Sequence, residues 1–172
     1  FYVKSALTAA QVKACMGVGT DFWIYVDGEE ATIVNNDAQL KTAIQNATGE
    51  TVTIVLGEGT YSQNIDLTVA ALGEAQVKNL IFKAASKNTV IAGTVTLGYR
   101  NQGVGAAMWN ADVTFDGVTF QPTTANTHSI NVQDVKSLNL INCAFINNGE
   151  YGIESARGNA TGTSKIVGCT FE

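Results

Sequence analysis

Three stretches in the last third of the chain repeat one another: Asp112-Val-Thr-Phe-Asp-Gly-Val-Thr-Phe120, Ser137-Leu-Asn-Leu-Ile-Asn-Cys-Ala-Phe145 and Thr163-Ser-Lys-Ile-Val-Gly-Cys-Thr-Phe171. Aligned, they put Phe115, Leu140 and Ile166 in one column, Gly117, Asn142 and Gly168 in the next, then Val118, Cys143 and Cys169, and finally Phe120, Phe145 and Phe171. A period of about 25 residues with conserved column chemistry marks a chain built of stacked, look-alike units. Within each unit the apolar residues stand two apart, as on the inward face of a short strand. Between the paired positions stands Gly or Asn, the two residue types that best tolerate a left-handed backbone. One such residue bends the chain sharply while both flanking strands keep facing the same interior. A hairpin would instead need about two turn residues and would pair the flanking strands with each other. The pattern therefore predicts an all-β, single-stranded parallel β-helix in which each strand pairs with its equivalent one unit away.

A third strand per coil is expected at Ser129-Ile-Asn-Val132 and Tyr151-Gly-Ile-Glu-Ser155, with Ile130 and Ile153 inward and residues 107–110 as the upstream equivalent. Earlier coils are fainter. Leu80 and Phe82 match the inward positions, but Ala84 stands where Gly or Asn is expected, so that turn must differ. Residues 89–97 supply two strands around Gly93. Val52, Ile54 and Leu56 alternate inward before a turn at 57–61, and 64–67 continues. Four or five coils fit between residues 51 and 172.

Residues 36–48 read as an amphipathic helix, with Asn36 or Asp37 as its cap, Gly49 after its end, and Leu40, Ala43, Ile44 and Ala47 on one stripe. It is expected to cover the N-terminal end of the stack. The domain reading is thus 1–35 as an extension, with a short helix over 8–15 and a hairpin of 22–26 with 31–34 around Asp27-Gly28, followed by 36–172 as the coil stack. The chain opens on Phe1 and closes one residue after inward-facing Phe171. It is read as a segment of something longer, with further coils or domains expected beyond Glu172.

Composition narrows the function classes. Charged residues are 15% of the 172, against about 25% in an average soluble protein, hydrophobic residues are 45%, and the net charge is −5. Disorder needs the opposite balance. No basic patch exists to displace counterions, so nucleic acid is not expected as a partner. No apolar run reaches 18 residues, so no membrane insertion is expected.

The helix sequence Asp37-Ala-Gln-Leu-Lys-Thr-Ala-Ile44, the strand and turn Thr51-Val-Thr-Ile-Val-Leu-Gly-Glu-Gly-Thr-Tyr61, and the Asn-Cys-Ala-Phe and Gly-Cys-Thr-Phe ends of 142–145 and 168–171 resemble the pectate-lyase-like right-handed parallel β-helix superfamily over residues 36–172. The resemblance implies a right-handed coil. It also implies one of several roles: polysaccharide lyase or glycoside hydrolase, phage tailspike, or bacterial surface protein without catalytic activity. Lyase chemistry in that superfamily calls for an Arg or Lys base and Ca²⁺ held by acids. Hydrolysis calls for a carboxylate pair or trio. The chain holds two arginines, Arg100 and Arg157, and lacks the hydrolase signatures. Asp112, Asp116 and Asp134 read chiefly as solvated turn acids, with Ca²⁺ as the rival reading. His128 is the only histidine and sits after a polar loop. Cys143 and Cys169 share an inward column, open to a thiol ladder or a disulfide.

No catalytic residue and no cofactor is assigned. The candidate ligand-binding loops carry Tyr99, Arg100, His128, Glu150, Tyr151 and Arg157, where aromatic faces and hydrogen-bonding groups suit sugars. The expected role is a non-catalytic scaffold or adhesion segment of an extracellular or bacterial cell-surface protein, with a polysaccharide or host glycan as partner.

Overall fold

A computed structural model of the chain describes residues 24–26, 29–68, 77–98, 109–123, 128–133, 135–147, 149, 151–155 and 162–172. The helix expected over 8–15 lies outside these residues, as do Tyr99, Arg100, Asp134, Glu150 and Arg157. The chain opens with β1 (Ile24–Val26), β2 (Glu29–Val34) and the helix α1 (Asp37–Gln45). Three strands follow, β3 (Thr51–Leu56), β4 (Gly59–Tyr61) and β5 (Ile65–Thr68). The same triple recurs as β6 (Asn79–Ala84), β7 (Thr89–Ile91) and β8 (Val95–Gly98). It recurs again as β9 (Trp109–Asp116), β10 (Thr119–Phe120) and β11 (Ile130–Val132), and as β12 (Val135–Ile141), β13 (Ala144–Phe145) and β14 (Ile153–Ser155). The last described pair is β15 (Lys165–Val167) and β16 (Thr170–Phe171).

Each triple, a rung, gives one strand to each of three sheets. The first sheet runs β1-β2-β3-β6-β9-β12-β15, the second β16-β13-β10-β7-β4 and the third β14-β11-β8-β5. Among the described residues every pairing is parallel except β1 with β2. Register follows the columns of the repeat. Phe82, Phe115, Leu140 and Ile166 are successive partners in the first sheet, and Ile91, Phe120, Phe145 and Phe171 in the second. These side chains converge on one interior. Phe82, Phe115, Phe120, Ile54, Leu56, Leu97 and Leu140 are fully enclosed in a single apolar cluster. Each such side chain contributes roughly 1.5–3 kcal/mol of burial.

The bends behave as their residues dictate. Gly117, Asn142 and Gly168 all take positive φ, 72°, 52° and 65°. Ala84 instead continues β6, and the chain takes a longer turn before β7. Gly93 is required for a different reason: a Cβ there would lie 2.1 Å from the carbonyl oxygen of Gln63 in the rung below.

At the N-terminal end the hairpin forms between β1 and β2, and β2 then pairs in parallel with β3, so it is part of the first sheet. Helix α1 begins where the sequence places it. The Asn36 side chain accepts from the Gln39 amide at 2.9 Å, and the Gln39 side chain accepts from the Asn35 amide at 2.8 Å, a reciprocal arrangement like a capping box. Leu40 and Ile44 bury into the core cluster. The helix ends at Gln45 rather than at residue 48, because the Ala47 amide closes back on the Ile44 carbonyl at 3.2 Å in a tighter, three-residue turn. Asp37 fastens the helix to the turn after β4 by accepting from the Ser62 amide and hydroxyl and the Gln63 amide. Tyr61 fastens the same end from inside: its hydroxyl donates to the Val34 and Gly57 carbonyls at 2.8 and 3.3 Å, and burial pushes the phenol up to about 12.

Residues 107–110 are not the upstream equivalent of Ile130–Val132. Ile130 pairs with Val95, so β8 holds that place, and Trp109 already belongs to β9 in the first sheet. Among the described residues no helix is long and apolar enough to cross a membrane.

Candidate functional site

Along the third sheet the inward residues are apolar: Ile65 and Leu67, Val95 and Leu97, Ile130 and the partly buried Val132 and Ile153. Alternation turns the residues between them outward. Register therefore lines up Asp66, Thr96, Asn131 and Glu154 across four strands of the outer face. The column is a strip of oxygen and amide groups at the strand spacing of about 4.8 Å.

At its far end, two sequence candidates meet. His128 enters β11 from the loop after β10, and Tyr151 enters β14 from the equivalent loop one rung on. Their rings face each other at 6.3 Å and 28°. The His128 Nε2 lies 3.0 Å from Glu154 Oε2, while the His128 carbonyl accepts from the Thr94 hydroxyl at 3.1 Å. Tyr151 is half exposed. His128 Nδ1 and Asn131 Oδ1 are shut off from solvent and find no hydrogen-bond partner, a costly state for buried polar atoms unless another group supplies the bond. The cluster thus offers an aromatic face and a carboxylate within one rung step, with the two unsatisfied polar atoms enclosed beside them. Glu154 and Asn131 were not singled out by sequence. Residues 128 and 154 stand 26 apart, one repeat period, so a search for complementary residues at that spacing finds the pair.

A second polar cluster lies on the outer face of the first sheet. Asp112 accepts from Lys136 Nζ at 2.6 Å and from the Ser137 hydroxyl at 2.5 Å. Asn139 reaches Thr114 at 3.4 Å and the Ser137 hydroxyl at 3.5 Å. Burial tends to raise the Asp112 carboxyl, but the two hydrogen bonds and the Lys136 charge outweigh it and hold the group below its ordinary value. Asp112 is thus engaged by a cation and a hydroxyl. Among the described residues no three His, Cys, Asp or Glu side chains gather into a metal-holding group.

Cys143 and Cys169 occupy their shared column as free thiols. Cys143 is buried and donates to the Phe115 and Ile141 carbonyls at 3.3 and 3.4 Å, and burial pushes its thiol up to about 12. It is a packing residue rather than a nucleophile.

Compared with known proteins, the chain matches no family model, no curated protein and no solved structure.

Proposed function

We propose that the chain is a right-handed parallel β-helix of the pectate-lyase-like kind, serving as a non-catalytic scaffold or adhesion module that binds extended glycans at the outer face of its third sheet. The strand order supports the β-helix: each rung visits the same three sheets in the same sequence. A crossover between parallel strands of one sheet is right-handed in nearly all cases.

The observation that carries the glycan reading is the meeting of Asn131 and Glu154, on the paired strands β11 and β14, with His128 and Tyr151 just before those strands. A half-exposed aromatic ring stacks on the apolar face of a pyranose, and flanking carboxylate and amide groups take its hydroxyls. The column toward Thr96 and Asp66 repeats polar groups at a spacing comparable with the length of one sugar unit, which suits an extended chain laid along the stack. The chemistry of His128 weighs against catalysis there. Glu154 occupies one ring nitrogen and the other is walled off from solvent, so neither is placed to take a substrate proton. An extracellular or cell-surface setting follows from the glycan reading and is part of the proposal.

The test is calorimetric titration with neutral and uronate oligosaccharides, repeated with Tyr151→Ala and Asn131→Ala. Binding that each substitution weakens about tenfold, the scale of one lost stacking or hydrogen-bonded contact, supports the site. An absence of binding, or binding that ignores both substitutions, overturns it. Unsaturated products formed from pectin, alginate or glycosaminoglycans would overturn the non-catalytic part.

A further inference from the structure

A cleft of about 220 Å³ opens between α1 and the bend that joins β4 to β5. Leu40, Ile44 and Ile65, all buried, form its apolar floor, while the exposed Lys41, Gln63 and Asp66 stand at its rim. Both walls are held in place. Asp37 ties α1 to Ser62 and Gln63 of the bend, and the Asn64 side chain accepts from the Thr94 amide of the next rung at 3.0 Å. The cleft is thus preformed, as sites for small ligands usually are.

Its position gives it a use. β5 is the end strand of the third sheet, and its Asp66 begins the outward column that continues through Thr96 and Asn131 to Glu154. Asp66 therefore belongs both to the column and to the cleft. A chain laid along the column from the Tyr151 cluster toward α1 crosses three strand spacings, about 14 Å, before it reaches Asp66. There the sheet ends and the cleft begins, with α1 as its far wall.

The lining suits a sugar ring. The apolar floor matches the C–H face of a pyranose, and the rim offers its hydroxyls an ammonium, an amide and a carboxylate from Lys41, Gln63 and Asp66. Among the described residues Lys41 enters no ion pair, so its ammonium is not committed to a carboxylate. We infer that this cleft is the end stop of the glycan site: it takes the terminal ring of the bound chain, so that the protein recognises chain ends rather than chain interiors. The inference rests on the glycan reading of the third-sheet face and adds a length and an end to it. About three rings lie over the column and one sits in the cleft.

Titration of the whole chain with cello-oligosaccharides and oligogalacturonates of increasing length tests this, with folding of each variant checked by circular dichroism. Affinity is expected to rise up to about four units and then to level off. Lys41→Ala and Gln63→Ala, both at exposed positions, are each expected to weaken a tetrasaccharide about tenfold. A disaccharide held at the Tyr151 cluster alone is expected to bind these variants as it binds the wild type. Opening the reducing-end ring to an alditol, or methylating the opposite terminal ring, is expected to bring a similar loss for whichever end enters the cleft. Binding that Tyr151→Ala weakens but that ignores Lys41→Ala, Gln63→Ala and both end modifications overturns the end stop and leaves the glycan reading standing. So does an affinity that does not level off with length. Absence of binding to both series overturns the two together.

Discussion

The ring of Phe120 lies 4.8 Å from that of Phe145 and 14° from parallel with it. Phe145 in turn lies 4.7 Å from Phe171 at 6°, and Phe115 meets Phe120 edge-on at 5.3 Å. Parallel in-register strands force equivalent side chains into such a pile, so the rings report the register of the second sheet directly. They also report how burial varies along the stack. Phe120 is fully enclosed, while Phe171 has one face open. Phe120→Ala is expected to cost about 3–5 kcal/mol of stability, the range for deleting a buried aromatic ring. Phe171→Ala, at a ring more than half exposed, is expected to cost a small fraction of that. Urea unfolding of the two variants checks the contrast.

Two glycines are needed for unlike reasons, and substitution separates them. Gly117 has φ +72° but open space around it, the nearest atom to an added Cβ being Ala84 Cβ at 3.6 Å. Gly117→Ala is expected to cost about 1–2 kcal/mol, the strain of a left-handed alanine, and Gly117→Asn less, since Asn142 holds the same place one rung on. At Gly93 the obstacle is the backbone of the neighbouring rung, which cannot swing aside as a side chain can. Gly93→Ala is expected to cost about 3 kcal/mol or more. Thermal melts of the three variants rank them.

Columns such as Phe120–Phe145–Phe171 and Gly117–Asn142–Gly168 were legible in the sequence because a parallel register repeats the same chemistry at a fixed interval. The role of Gly93 was not, since close approach of another rung leaves no mark on local composition. The same holds for β2. Its apolar residues announce a strand, but its pairing with β3 depends on how the chain returns after α1. The third-sheet strands were half legible. Ile130 and Ile153 stand inward as expected, whereas the upstream partner is β8 and not residues 107–110, because the link between β8 and β9 is much longer than that between β11 and β12. Of the candidate site, His128 and Tyr151 were visible as loop residues. Glu154 and Asn131 emerge only once register sets them side by side.

Asp112 makes stability depend on pH in a defined direction. Its carboxyl is held below the ordinary value of 3.8 in the folded chain. A group depressed on folding adds stability that is fully present above the unfolded value and is lost as pH falls through the folded one. Asp112→Asn is therefore expected to destabilise the protein at neutral pH by on the order of 1 kcal/mol, as a partly screened pair with Lys136 would. The difference from wild type should shrink toward zero as pH falls through the lowered folded value, below 3.8. Denaturant midpoints measured across that range check the sign. A deficit that persists unchanged in acid would mean that Asp112 acts through shape rather than charge.

The two stacked cysteines differ in what reaches them. Cys143 is enclosed beneath the last described rung, and burial pushes its thiol up to about 12, whereas Cys169 is partly open on that rung. The thiolate is the reactive species, so Cys143 should be almost silent at neutral pH while folded. With Cys15→Ser as background, a thiol reagent in native buffer is expected to modify one equivalent promptly and the second only at the rate of unfolding. Adding denaturant should bring both up together. Peptide mapping should place the prompt label on Cys169. Prompt labelling of Cys143 would mean that β15 and β16 detach readily from the strands below them, well before the global unfolding transition.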